Sequence, residues 1–269
     1  MEGTIFVSVN PGFESVVNFP LYMTVLDMSN NVMWSSELCS SCWTLWPWIT
    51  WTKLKIVDSL GNLIYSWVWD PIKDGCISHQ LFHLWALKNK GSFGIAIGTH
   101  DGMWGEWVGM VADGHLRALL VEASDKQFEK LENFYSGRKW VRCEKKLITT
   151  DGHSVIFYEG GSGHTNSIKK SHIEMTVQSD ITETLRESQS LISLLEENPN
   201  CKWLHIDVEG IDDELILSLR NREELLPEVL IYEHEALGVM KESSVIEFLE
   251  QNNYQLFKGN SRNTIAFKK

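Results

Sequence analysis

The sequence predicts an α/β protein. Its main part reads as a doubly wound, Rossmann-like sheet with a C-terminal antiparallel hairpin, preceded by a small Trp-rich antiparallel β-module. Three segments predict the sheet. Residues 202–210 read KWLHIDVEG, an apolar strand ending in two carboxylates and a glycine. Residues 93–107 read FGIAIGTHDGMWGEW, a buried strand running into a glycine turn and a helix start near Met103. Between them, residues 116–124 (LRALLVEAS) form a strand closed by Glu122. Strand, glycine turn, helix, strand and acid is the order of a nucleotide-binding α/β domain.

The remaining elements follow from periodicity and punctuation. Seven of the 12 tryptophans lie between Trp34 and Trp69, which sets residues 1–75 apart from 76–269. In the first part, residues 4–9, 21–26, 49–57 and 63–69 read as strands, the last two joined by the turn at 58–62. Tryptophans in such a module fill a small core, dock on a neighbour or a second subunit, or stack on sugar faces. A homo-oligomer through this module is one expectation. The Cys39–Cys42 pair is a CxxC without a second ligand pair, so no structural metal is expected. Residues 77–87 read as a connecting helix. Further on, helices are expected at 124–135, 181–197, 211–219 and 243–251, and strands at 139–147, 154–158, 204–208 and 229–233. Residues 254–258 and 264–268, around a 259–262 turn, read as the terminal hairpin.

Composition excludes several classes. With 269 residues, 43% apolar and 22% charged, the chain is an ordinary globular one. A net charge of −12 argues against general nucleic-acid binding. The start MEGTIFVSV lacks the pattern of a signal peptide, and no stretch approaches a membrane span. Five scattered cysteines fit a reducing, cytoplasmic setting.

The glycine turn and the acids suggest chemistry. Gly98 and Gly102 end the first strand, where glycine admits positive φ and close approach of a ligand to the backbone. Thr99 and His100 lie between them, and a helix start would offer N–H groups to an anion. Glu122 follows Gly102 by 20 residues, the spacing of an acid that holds ribose hydroxyls, with Ala123 beside it. A dinucleotide turn usually wants GxGxxG, and His100 stands at the second glycine. S-adenosylmethionine (SAM) carries no pyrophosphate and tolerates a bulkier residue there. The terminal antiparallel hairpin favours the SAM fold as well.

Taken in order, residues 90–269 resemble the FkbM-type SAM-dependent methyltransferases. The segments that carry the resemblance are AIGTHDGMWGEW, LLVEAS, TNSI at 165–168, WLHIDVEG, PEVLIYEHEAL and FLEQNNYQLFKGNSRNTIAFK. The resemblance implies a class I methyltransferase fold, SAM as methyl donor, and usually O-methylation of a small molecule or sugar. It makes Gly98, Thr99, His100, Gly102, Glu122, Ala123 and Asp207 the expected cofactor-binding residues. Two positions depart from the family's pattern: Ala96 replaces an acid two residues before the first glycine, and His205 replaces the lysine before IDVEG. Residues 1–75 lie outside the match and faintly resemble the N-terminal β-portion of some bacterial sugar-transferring enzymes, through WSSEL and KLKIVDSLGNLIYSW.

Methyl transfer to oxygen needs an aligned hydroxyl and a proton acceptor. Strand alternation places His205, Asp207 and Glu209 on one side of their strand. The neighbouring strand ends at Glu233 and His234, so Asp207, Glu233 and His234 are the expected catalytic residues. Three readings stand: His234 or Asp207 is a general base, Asp207 and Glu233 hold a divalent cation that orients a diol, or the acids only cap helices, as expected for Asp212 and Asp213. His164 and 165–167 form a candidate acceptor loop. A non-catalytic, methyltransferase-like glycan-binding module is the alternative to an enzyme.

Overall fold

The computed structural model describes residues 21–26, 32–38, 52–57, 63–69, 77–160, 166–176, 181–234, 239–258 and 262–269. The chain divides into two compact units, Met1–Gln80 and Leu81–Lys269. The expected strand at 4–9, the CxxC, the 75/76 boundary, His164 and Thr165 lie outside the described residues.

In the first unit, β1 (Leu21–Leu26), β2 (Val32–Leu38), β3 (Thr52–Val57) and β4 (Leu63–Trp69) form an antiparallel sheet in the order β2-β1-β3-β4. β2 is a strand that the sequence reading did not anticipate.

The second unit starts within α1 (Ile77–Lys88) and continues through β5 (Phe93–Ile97), α2 (Val108–Ala112), β6 (Arg117–Glu122), α3 (Asp125–Tyr135) and β7 (Val141–Lys145). An inserted stretch follows: β8 (Leu147–Thr149), β9 (Val155–Gly160), α4 (Lys170–Thr176), β10 (Ile181–Arg186) and β11 (Ser188–Ser190). The chain returns through α5 (Leu191–Glu196), β12 (Trp203–Ile206), α6 (Asp212–Leu217), β13 (Val229–Glu233), α7 (Val239–Gln251), β14 (Tyr254–Lys258) and β15 (Asn263–Lys268).

Seven strands form the main sheet in the order β14-β15-β13-β12-β5-β6-β7. The five from β13 to β7 are parallel, and β15 runs antiparallel to both its neighbours. This is the predicted doubly wound α/β sheet with its terminal hairpin. β12 and β13 are buried along their whole length, as expected for strands with helices on both faces. One face carries Ile95, Leu119, Leu204 and Leu230 against Leu194, Leu215 and Phe248 of α5, α6 and α7. On the other, Trp203 lies edge-on to Phe82 of α1, with ring centroids 5.6 Å apart. Among the described residues, no helix is long and apolar enough to cross a membrane.

Two local expectations are corrected. The helix after the glycine turn begins at Val108, not near Met103, because positive φ at Gly102 and Gly105 keeps the intervening backbone out of a helix. Residues 181–197 are not one helix. Ile181–Arg186 pairs antiparallel with β9, Ser188–Ser190 pairs parallel with β8, and only Leu191–Glu196 is helical. The TETL alternation there is β-like, and Ser190 caps α5 by accepting from Ser193 N–H at 3.1 Å.

Candidate active site

The chain leaves β5 toward β6 and β7, then returns on the other side of β5 as β12 and β13. The carboxyl ends of β5 and β12 are therefore the switch point of the sheet, where ligands of such folds bind. Gly98 stands there with φ +75°, and a Cβ on it would lie 1.7 Å from the carbonyl oxygen of Asp207. The room that this glycine frees is taken by the neighbouring strand, rather than left for a ligand as the sequence reading expected. Gly102, at φ +80°, is pressed on α3: an added Cβ would meet Leu131 at 2.6 Å and Tyr135 at 2.8 Å. Tyr135 donates to the Gly102 carbonyl at 3.1 Å, and the buried Thr99 hydroxyl donates to the Val121 carbonyl at 3.3 Å. The turn is thus a rigid, packed element.

Glu122 closes this turn from β6. Its carboxylate accepts from His100 N–H at 2.7 Å and from Ser124 N–H at 2.8 Å. Burial pushes its pKa up to about 7, against the lowering effect of those backbone hydrogen bonds. A carboxylate has about four acceptor sites and the backbone of His100, Ala123 and Ser124 takes three, so capacity for a ribose hydroxyl is left. Ala123 turns its carbonyl to Arg186, which donates from Nη1 at 2.6 Å.

On the other side of the switch point, single carboxylate oxygens of Asp207, Glu209 and Glu233 all lie within 4.8 Å of one another. Strand adjacency delivers Asp207 and Glu233 to one place, as predicted. Glu209 joins them because its backbone enters the left-handed region, at φ +55°. Burial raises Asp207 to about 6, and burial with the nearby Glu233 raises Glu209. Glu233 is buried and ion-paired to Arg262 at 2.7 Å. His234 turns toward β15, where its Nδ1 meets the Thr264 hydroxyl at 3.1 Å. Asp212 caps the turn into α6, accepting from the Val208 and Gly210 N–H groups at 3.4 Å, and burial holds its carboxyl well above the usual range. Asp213 pairs with Lys241 at 3.1 Å.

Of the neighbours of this cluster, His172 and Glu106 carried no sequence signal. His172 of α4 reaches Glu209 at 2.9 Å, and Ser167 donates to the Glu209 carbonyl at 2.7 Å. Ser167 belongs to the candidate acceptor loop, so the 166–176 stretch is tied to the β12–α6 turn. His205 and Ala96 are register partners on adjacent strands. The acid that reaches His205 is Glu106, at 3.4 Å, fully buried on the turn and held by Asn263 at 3.0 Å. A carboxylate thus stands beside His205 even though the strand position is alanine.

The raised carboxyls have a consequence for the free protein. Folding raises the proton affinity of Glu122, Asp207, Glu209 and Asp212 above their unfolded values. Between the unfolded pKa, about 4, and the folded values, the native state binds more protons, so stability falls as pH rises. The thermal midpoint of ligand-free protein is expected to drop by several degrees from about pH 5 to about pH 8. A midpoint that rises across that interval would contradict the burial of these groups.

No protein-family model matches the chain, and no curated protein sequence does. Among solved structures it is similar to an FkbM methyltransferase from Methylobacillus flagellatus KT, at 12% identity over 66% of this chain and 43% of that one, with a TM-score of 0.43. It is also similar to a precorrin-6y C5,15-methyltransferase from Geobacter metallireducens GS-15, at 12% identity over 70% of this chain and 86% of that one, with a TM-score of 0.39. A third is a methyltransferase from Geobacter sulfurreducens, at 12% identity over 74% of this chain and 81% of that one, with a TM-score of 0.40. The chain's own strand order, five parallel strands flanked by an inserted antiparallel one, gives the second unit the Rossmann-like class I methyltransferase fold.

Proposed function

We propose that this chain is a SAM-dependent O-methyltransferase acting on a hydroxyl of a small molecule or a sugar, in the cytoplasm. The observation that carries the reading is the pairing of two ends at one switch point. The Glu122-closed turn suits a nucleoside, and the Asp207–Glu209–Glu233 cluster suits a reacting hydroxyl. The residues fit the donor: Glu122 has acceptor capacity left for a ribose, and the His100–Gly102 backbone lies against it.

When bound, SAM supplies an electrophilic methyl group on a sulfonium. Asp207 is assigned the acceptor's proton, because a carboxyl raised to about 6 is ionised yet basic near neutrality. Its carboxylate would take the acceptor's proton, while Glu122 and the His100–Gly102 backbone would hold SAM, which would supply the methyl group. Glu209, held by His172, and Glu233, held by Arg262, orient the acceptor's other hydroxyls. The closeness of the three carboxylates also favours a second reading, in which a divalent cation orients a diol. Chelation that abolishes turnover, with restoration by Mg²⁺ or Mn²⁺, selects that reading.

Calorimetry with S-adenosylhomocysteine is the first test. Wild type is expected to bind in the micromolar range, and Glu122→Ala to bind about tenfold or more weakly, as a charge-assisted hydrogen bond is worth about 1.5–3 kcal/mol. Folded wild-type protein that gives no heat with either SAM or its product is instead the methyltransferase-like binding module.

A further inference from the structure

Arg186, at the end of β10, belongs to the inserted antiparallel β9–β10 pair, far in sequence from the glycine turn. Its guanidinium nevertheless binds the β6–α3 junction. Nη1 donates to the Ala123 carbonyl at 2.6 Å, and Nη2 to Asp125 at 3.0 Å and to Glu159 at 2.9 Å. Nε donates to Thr184 at 3.3 Å, and the guanidinium carbon lies 5.2 Å from the centre of the Phe157 ring. The planar fork of arginine reaches a carbonyl and two carboxylates along fixed, spread directions, whereas a lysine offers its three donors from a single nitrogen. The Arg186 side chain is only 18% exposed, so these bonds are shielded rather than surface ion pairs.

The junction it holds is the one that carries Glu122. Ala123 follows Glu122, and Ser124, whose N–H binds the Glu122 carboxylate, precedes Asp125. Glu159 lies close enough to Glu122 to push its proton affinity further up. Arg186 therefore acts in two ways: it bonds the backbone next to the acid, and it pairs with Glu159, a carboxylate whose charge raises the acid's proton affinity.

We propose that Arg186 is a positioning residue of the nucleoside pocket, clamping the β9–β10 pair onto the Ala123 carbonyl and keeping Glu122 placed for a ribose. This rests on the SAM reading of the site. Other titratable groups at Glu122 are His100 from the turn, Asp125 from α3, and Lys145, its register partner on β7 and itself paired with Asp125. Arg186 is a cation bonded to Glu159, at 2.9 Å.

The test is calorimetry with S-adenosylhomocysteine and with 5′-methylthioadenosine, which keeps the nucleoside and lacks the amino acid, across pH. Wild-type affinity should rise with pH as Glu122 ionises. Arg186→Ala should weaken both ligands about tenfold and move the pH midpoint up. Arg186→Lys should recover part of the affinity. Glu159→Gln should move the midpoint down, opposite to Arg186→Ala, which mere loosening of the strand pair cannot produce; this variant also decides the matter if Arg186→Ala fails to fold. Unchanged affinity and midpoint in Arg186→Ala, or midpoints that move the same way in both variants, overturn the proposal. Absence of binding by wild type overturns the SAM reading itself, and the proposal with it.

Discussion

Asp207→Asn is expected to lower turnover on a true acceptor by about 10²–10⁴-fold, the usual worth of a positioned general base. Affinity for S-adenosylhomocysteine should stay nearly unchanged, because the substitution keeps the side chain's size and removes only its basicity. The expectation comes from a carboxyl held at the switch point, raised to about 6 by burial and standing within reach of Glu209 and Glu233. His234→Ala separates the alternatives. Its Nδ1 is engaged with Thr264 on β15, so a loss under about tenfold is expected there. A screen of sugar and small-molecule hydroxyls with labelled SAM supplies the acceptor. Wild-type turnover in Asp207→Asn would move the proton acceptor elsewhere, and equal collapse in His234→Ala would move it to the histidine.

Gly98→Ala should damage the fold severely. Its φ of +75° disfavours a side chain, and the added Cβ would sit 1.7 Å from the Asp207 carbonyl oxygen. Backbone cannot step aside as a flexible side-chain end can, so β5 and β12 must separate at their carboxyl ends. A loss of about 3 kcal/mol or more is expected, combining left-handed strain with overpacking. Gly137 makes the control: its φ is +78°, but nothing lies within 4 Å of an added Cβ. Gly137→Ala should cost only the conformational penalty, about 1–2 kcal/mol. Urea unfolding of both variants measures the difference, and equal losses would mean that the contact with Asp207 contributes nothing.

Much of the fold was legible because its strands are short apolar runs between clear stops. LIYSWVW, FGIAI, LLVE and VLIYE announce themselves by β-branched and aromatic content, and the structure places strands at all four. The 181–190 stretch was not legible. Ile181 and Leu185, four residues apart and ahead of the leucines of 191–195, fit a helical stripe, whereas pairing with β9 and β8 decided in favour of strands. Propensity is a weak prior that tertiary pairing overrides. The helix start at Met103 failed for a related reason, since the second and third glycines of the turn each need positive φ and delay the helix.

The candidate site divides in the same way. The residues alone carry the succession of strand, glycine turn and acid, and the strand ends bearing Asp207 and Glu233. Alternation along a strand is a local property, readable residue by residue. It took the folded sheet to show that Gly98 yields to the Asp207 carbonyl, that Glu209 meets His172, that Glu106 stands beside His205, and that Arg186 clamps Ala123. Each of these contacts joins segments separated by tens of residues. Their geometry is set by where the sheet's switch point brings the strand ends together and by how the inserted strand pair folds back over them, and no local pattern of side chains encodes either.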